Sequence, residues 1–180
     1  MERWNAGPEV LKMVQTLISR YHPHLALVEK EIAVVFREKA AEKSGKVIMG
    51  GTSKMGWQIA VVTDKKFEHK FIIELGADVW QNELDETQKL ALLDHHLCAM
   101  KVEDDGQGGY KYSLRPADFV GYKEEVERWG MWRPMDDDTM SIIEKMFGEK
   151  AKEGKDTVQK RMSSTAPDDI DDILGALKGP

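Results

Sequence analysis

The chain is 180 residues long with a net charge of −6 at pH 7 and a sequence pI near 5.4, which excludes a general nucleic-acid binder, since that function needs a basic face to release counterions. Its hydrophobic fraction of 41% is enough to build one real core, plus an appended tail. The single cysteine, Cys98, excludes an intramolecular disulfide and a cysteine-based zinc cage. No stretch approaches the roughly 20 apolar residues of a membrane span, and the N-terminus lacks the apolar run of a signal peptide. A soluble protein of a reducing cytoplasm is expected.

Taken in chain order, Val10, Leu11, Val14, Leu17 and Ile18 fall on one face of a helix over 9–20, with Pro8 at a tolerated first position. Tyr21-His22-Pro23-His24 breaks it, and proline disfavours helical geometry at His22. The two histidines read as a turn joining helix to sheet more readily than as ligands. Four strands are predicted, at 32–36 (with a helix from Leu25 as the alternative there), 46–51, 57–63 and 70–75, the last apolar enough for a central place. Gly50-Gly51-Thr52-Ser53-Lys54 has the wrong spacing for a phosphate loop and reads as a strand-ending turn.

The clearest helix follows. Asp85 is a good N-cap with Gln88 three residues on, as in a capping box. Leu90, Leu93, Leu97 and Met100 then recur at i, i+3, i+7 and i+10, so the helix is predicted to run to about Lys101. Cys98, beside Leu97, reads as a small core residue. Asp105 to Gly109 is a glycine-rich turn between extended segments 101–104 and 110–114. Asp118 is predicted to open a helix with a Phe119, Tyr122, Val126 and Trp129 stripe and Gly130 as its C-cap.

Beyond Trp132 the character changes, and we divide the chain into a domain over 1–134 and a tail over 135–180. The segment from Met135 onward carries eleven acidic and seven basic residues, so charge concentrates there. Met140, Ile143, Met146 and Phe147 suit one short helix. Residues 148–166 are polar and read as a flexible linker. Ile170, Ile173, Leu174 and Leu177 then stand at i, i+3, i+4 and i+7, the anchor pattern of a helix laid in a partner's groove. Acidic residues crowd its first turn, where the helix dipole favours them. Docking on another protein, the favoured reading, or on its own domain or a second copy would complete so short a helix, and plain disorder is the remaining alternative.

The central helix reads Leu93-Asp94-His95-His96-Leu97-Cys98-Ala99, and here the chain resembles the small phage-encoded metallopeptidases, whose helix carries an Asp-His-Glu-Leu-Cys-His type sequence. Trp80 and Thr87-Gln88 precede it as in that family. His22-Pro23-His24-Leu25, Phe36-Arg37-Glu38, the 45–50 strand and Glu124-Glu125-Val126-Glu127-Arg128-Trp129-Gly130-Met131-Trp132 match in the same order. The resemblance spans roughly 10–132. It implies an α+β, zincin-like fold: a small mixed sheet of about four strands packed on the helix bearing His95 and on a final helix near Val126, with a flexible C-terminal tail.

It also implies a zinc site, in which histidines four apart grip the ion and a glutamate beside the first acts as base. Carried over residue by residue, His95 matches the first ligand. His96 replaces the glutamate, while Ala99 and Ala117 stand where the second and third ligands belong. Adjacent His95 and His96 point about 100° apart around a helix, which disfavours a shared tetrahedral ion. Asp94, Asp118, Glu124 and His69 are conceivable substitutes that no spacing recommends. We therefore expect no catalytic residues and no resident cofactor, with His95 as the lone surviving metal-ligand position. The expected role is that of a phage-derived accessory protein in the host cytoplasm. It would bind a host or defence protein on a catalytically degenerate scaffold, through its surface or through Ile170, Ile173, Leu174 and Leu177, with self-association as a further option. The alternative is a zinc-dependent peptidase with non-standard ligands around His95.

Overall fold

The computed structural model describes residues 1–43, 45–56, 69–118, 121–130, 132, 141, 145 and 170–178. The predicted strand over 57–63 and nearly all of the predicted helix over 140–147 lie outside them. The fold is α+β, as expected. Contacts divide the chain into two units, one of Met1–Leu84 with His96–Pro116 and one of Asp85–His95 with Ala117–Pro180.

In the first unit, β1 (Arg3–Asn5) leads into α1 (Pro8–Tyr21). Pro8 opens the helix, and Val10, Met13, Val14, Leu17 and Ile18 form its buried stripe. His22 closes it, its backbone N–H bonding to the Ile18 carbonyl. A run of 3-10 turns, Pro23–Glu31, then delivers the chain to β2 (Ile32–Arg37). A hairpin of β3 (Ala41–Lys43) and β4 (Lys46–Ile48) precedes β5 (Gly50–Lys54) and β6 (Phe71–Gly76). The predicted 46–51 strand is thus two strands: Met49 separates β4, which pairs with β3, from β5, which joins the main sheet.

That sheet has the order β1-β2-β6-β5 and is mixed. The central strands run parallel, Ile32 opposite Phe71 and Phe36 opposite Leu75, whereas β1 and β5 lie antiparallel at the two edges. β2 and β6 alternate buried and half-buried along their length, so Ile32, Val34 and Phe36 enter the core beside Phe71, Ile73 and Leu75. Trp4, Phe36 and Trp80 form a row of rings with centroids 6.1 and 5.7 Å apart, Trp80 coming from α2 (Ala77–Asn82). β1 was not foreseen, because three residues are too short to show alternation.

The second unit begins with α3 (Glu86–Cys98), inside which the boundary between units falls. The capping box is present: Gln88 N donates to Asp85 Oδ1 at 2.8 Å, and Asp85 N donates to Gln88 Oε1 at 3.0 Å. Leu90, Ala91, Leu92 and Leu93 are all buried. α3 stops at Cys98 rather than near Lys101, because Met100 already belongs to β7 (Met100–Asp104), which pairs with β8 (Tyr110–Leu114). Arg115 holds that stop, its Nε donating to the Cys98 carbonyl at 2.7 Å and its backbone N–H to the Ala99 carbonyl at 2.9 Å.

α4 covers Lys123–Trp129, with Gly130 at φ 62° just beyond it as expected of a C-cap. It starts five residues after Asp118. Asp118 Oδ2 instead accepts the Lys123 N–H at 3.0 Å, tying down the approach to the helix. α5 (Ile170–Lys178) ends the described chain. Among the described residues, no helix is long and apolar enough to cross a membrane.

A Cβ on Gly76 would stand 2.7 Å from both the Cα and Cβ of Ala40, whereas one on Gly51 would meet nothing within 4 Å. Gly76→Ala is therefore expected to lower stability by about 1–3 kcal/mol through overpacking. Gly51→Ala should cost less than 1 kcal/mol. Urea midpoints of the two variants check the contrast.

Candidate functional site

The motif helix places its two histidines in different surroundings. His95 Nδ1 lies 2.7 Å from Glu125 Oε2, and the carboxylate must be the acceptor. The bond therefore places a proton on Nδ1. The His95 ring packs on Tyr122, with centroids 5.2 Å apart. Glu125 is 1% exposed and accepts two more bonds, from the Tyr122 N–H at 3.1 Å and Trp132 Nε1 at 2.5 Å. Three donors compensate the cost of burying this carboxylate.

Asp94, fully buried, anchors the same pair of helices in the opposite sense. Arg128 Nη2 donates to its two oxygens at 3.0 and 2.7 Å, Arg128 Nε adds 3.1 Å, and Trp129 Nε1 donates at 2.9 Å. Thus α3 gives a carboxylate to α4 at Asp94 and receives one at His95. Asp94 had been weighed as a substitute metal ligand, yet a metal there would have to displace these charge-assisted bonds. Asp118 holds the Lys123 N–H, Glu124 sits on the exposed side of α4, and His69 lies in the first unit just before β6.

His96 is buried in the first unit. Its Nδ1 lies 2.9 Å from the Thr52 hydroxyl, and a Cβ on Gly50 would stand 2.5 Å from its Nε2. The imidazole is wedged against the bare backbone of β5. Ala99 is buried, with a methyl where a ligand would be, and Ala117 is exposed with another.

Sequence reasoning underrated another pair. His22 and Cys98, both buried in the first unit, bring a ring nitrogen and the sulfur within 4.8 Å of each other. Nearby, His24 Nε2 lies 3.4 Å from the Met100 carbonyl, so the 22–24 turn packs on the start of β7. Burial lowers the pKa of His24, the hydrogen bond to Met100 partly opposes this, and the charges of His22 and Arg115 lower it further. Sequence reasoning also missed Glu125 and Arg128 as partners of the motif helix. The signal available was a pair of adjacent chemistry-bearing residues, Asp94 and His95, facing a helix rich in charge and tryptophan.

A model of the putative phage metallopeptidase family matches residues 2–149, and the chain belongs to that family. No curated protein and no solved structure matches it. The family implies a metal, and the motif positions 99 and 117 do not fit one. Of the positions that the motif assigns to ligands, two carry methyl groups. The histidine at the general-base position is tied to Thr52.

Two outcomes follow. Glu125→Gln leaves an amide that cannot accept all three bonds, so it should cost about 3 kcal/mol in a denaturant titration, while Glu124→Gln, on the exposed side of the same helix, should be nearly neutral. Because the folded-state pKa of His24 is lowered, the unfolded chain binds the extra proton. The neutral imidazole's contribution is complete above its ordinary value near 6.5 and is lost as pH falls below it. Melting temperature should fall between pH 7.5 and 5.5, and His24→Gln should flatten that slope.

Proposed function

We propose that this protein is a phage accessory protein that keeps the metallopeptidase-family scaffold and acts by binding another protein, without hydrolysis. The observation that carries the reading is the donor set at the motif's ligand and base positions. Ala99 and Ala117 offer no lone pair, and His96 is committed to Thr52 inside the first unit. Hydrolysis by a zinc-bound water requires three protein ligands and an open position, and one of the motif's ligands remains. What survives is a scaffold held by its own hydrogen bonds, with an acidic first turn and an amphipathic stripe on α5. A host or defence factor in the infected cell is the partner class that this reading favours.

One observation supports a second reading, a zinc-dependent peptidase with non-standard ligands. A ligand histidine commonly donates its other ring N–H to a carboxylate, and His95 does so to Glu125.

Elemental analysis after mild dialysis, with and without added zinc, separates them. Substoichiometric zinc and no cleavage of a denatured protein substrate are expected, unchanged in His95→Ala. Near one zinc per chain, lost in His95→Ala, would establish the second reading. Zinc lost in Cys98→Ser but kept in His95→Ala would assign a structural ion to His22 and Cys98.

A further inference from the structure

The apolar stripe of α5 is unevenly covered. Ile173 is 0% exposed, whereas Ile170, Leu174 and Leu177 are half-buried and Asp171, Asp172, Gly175 and Ala176 are exposed. A one-sided helix of nine residues cannot bury one of its own isoleucines completely. Atoms from elsewhere in the chain must enclose that side chain. The remaining three anchors keep part of their surface in water. A helix this short is marginal by itself, and its first turn holds Asp171 and Asp172, which favour the helix through its dipole but contribute no apolar area.

We infer that α5 is a self-docked segment: in the free protein Ile173 plugs a site on the chain's own body, and the stripe becomes available to a partner only when that plug is withdrawn. The occupant of the site is therefore this chain's own residues 170–178, in cis. The inference deepens the binding reading above by stating how the stripe is regulated. Docking by one fully buried residue with three partly covered ones is suited to exchange, because a competitor that covers all four gains apolar contact that the intramolecular arrangement leaves unused. A partner must then bind more tightly by the factor needed to displace the plug, since apparent affinity falls with the fraction of competent chain.

The test uses the full-length protein and, as probe, a fluorescently labelled peptide of residues 167–180. In the wild-type chain the α5 amides should exchange with solvent more slowly than in the free peptide. Ile173→Glu in the full chain should vacate the site, giving saturable peptide binding about tenfold or more tighter than to wild type. A peptide carrying the same change should bind neither. Wild-type α5 amides that exchange as fast as in the free peptide would overturn the inference, a result that needs no variant to fold. So would equal peptide binding by both chains. A wild-type dimer by light scattering that falls to monomer in Ile173→Glu would place the docking in trans and overturn it as well. None of these readouts depends on zinc or hydrolysis, so failure here and failure of the binding reading are separable.

Discussion

Two buried carboxylates hold the second unit together. Asp94 on α3 takes the Arg128 guanidinium and the Trp129 indole from α4, and Glu125 on α4 takes the imidazole of His95 from α3. The exchange is reciprocal and uses neighbouring residues on each helix. Burying a carboxylate is costly, and removing a partner from such a pair costs about 3–5 kcal/mol because an uncompensated charge remains. These bonds orient the His95 imidazole and the Trp129 and Trp132 indoles. The apolar contribution of Leu90, Leu93, Val126 and Trp129 is larger in area, but it does not dictate which way each ring turns.

These bonds bear on which motif positions the fold itself depends on. Alanine at positions 99 and 117 adds no polar side chain that the fold would have to satisfy. Glu125 differs, since three donors rely on it. Replacing it would disturb folding whether or not hydrolysis took place. His95 has a structural part in the same network: its Nδ1–H completes the carboxylate's partners. A surviving ligand histidine is therefore weak evidence for a surviving metal, because the structure supplies it with a second occupation.

Much of the fold was legible in the chain, where local chemistry and tertiary packing agree. The helix from Pro8, the capping box at Asp85 and Gln88, the turn at Asp105 to Gly109 and the C-cap at Gly130 each follow from a residue whose side chain or φ angle suits one conformation. The misses share a cause. β1 is too short for periodicity, β4 and β5 split at Met49 through pairing that only the folded sheet reveals, and α4 starts at Lys123 because Asp118 bonds to its N–H from outside the helix. At the site, the family pattern located His95 and the missing ligands. It did not reveal Glu125, which lies 30 residues away and meets His95 only through the packing of two helices.

The two indoles of this network are donors as well as core residues. Trp129 points its N–H at Asp94 and Trp132 points its own at Glu125, each almost wholly shielded from water. Trp4, by contrast, is 41% exposed at the sheet edge. A negative charge at the pyrrole end of a shielded indole perturbs its excited state, so the protein carries an intrinsic optical gauge of the helix clasp. Loosening of α3 from α4 would expose these two indoles to water and alter their share of the protein's emission.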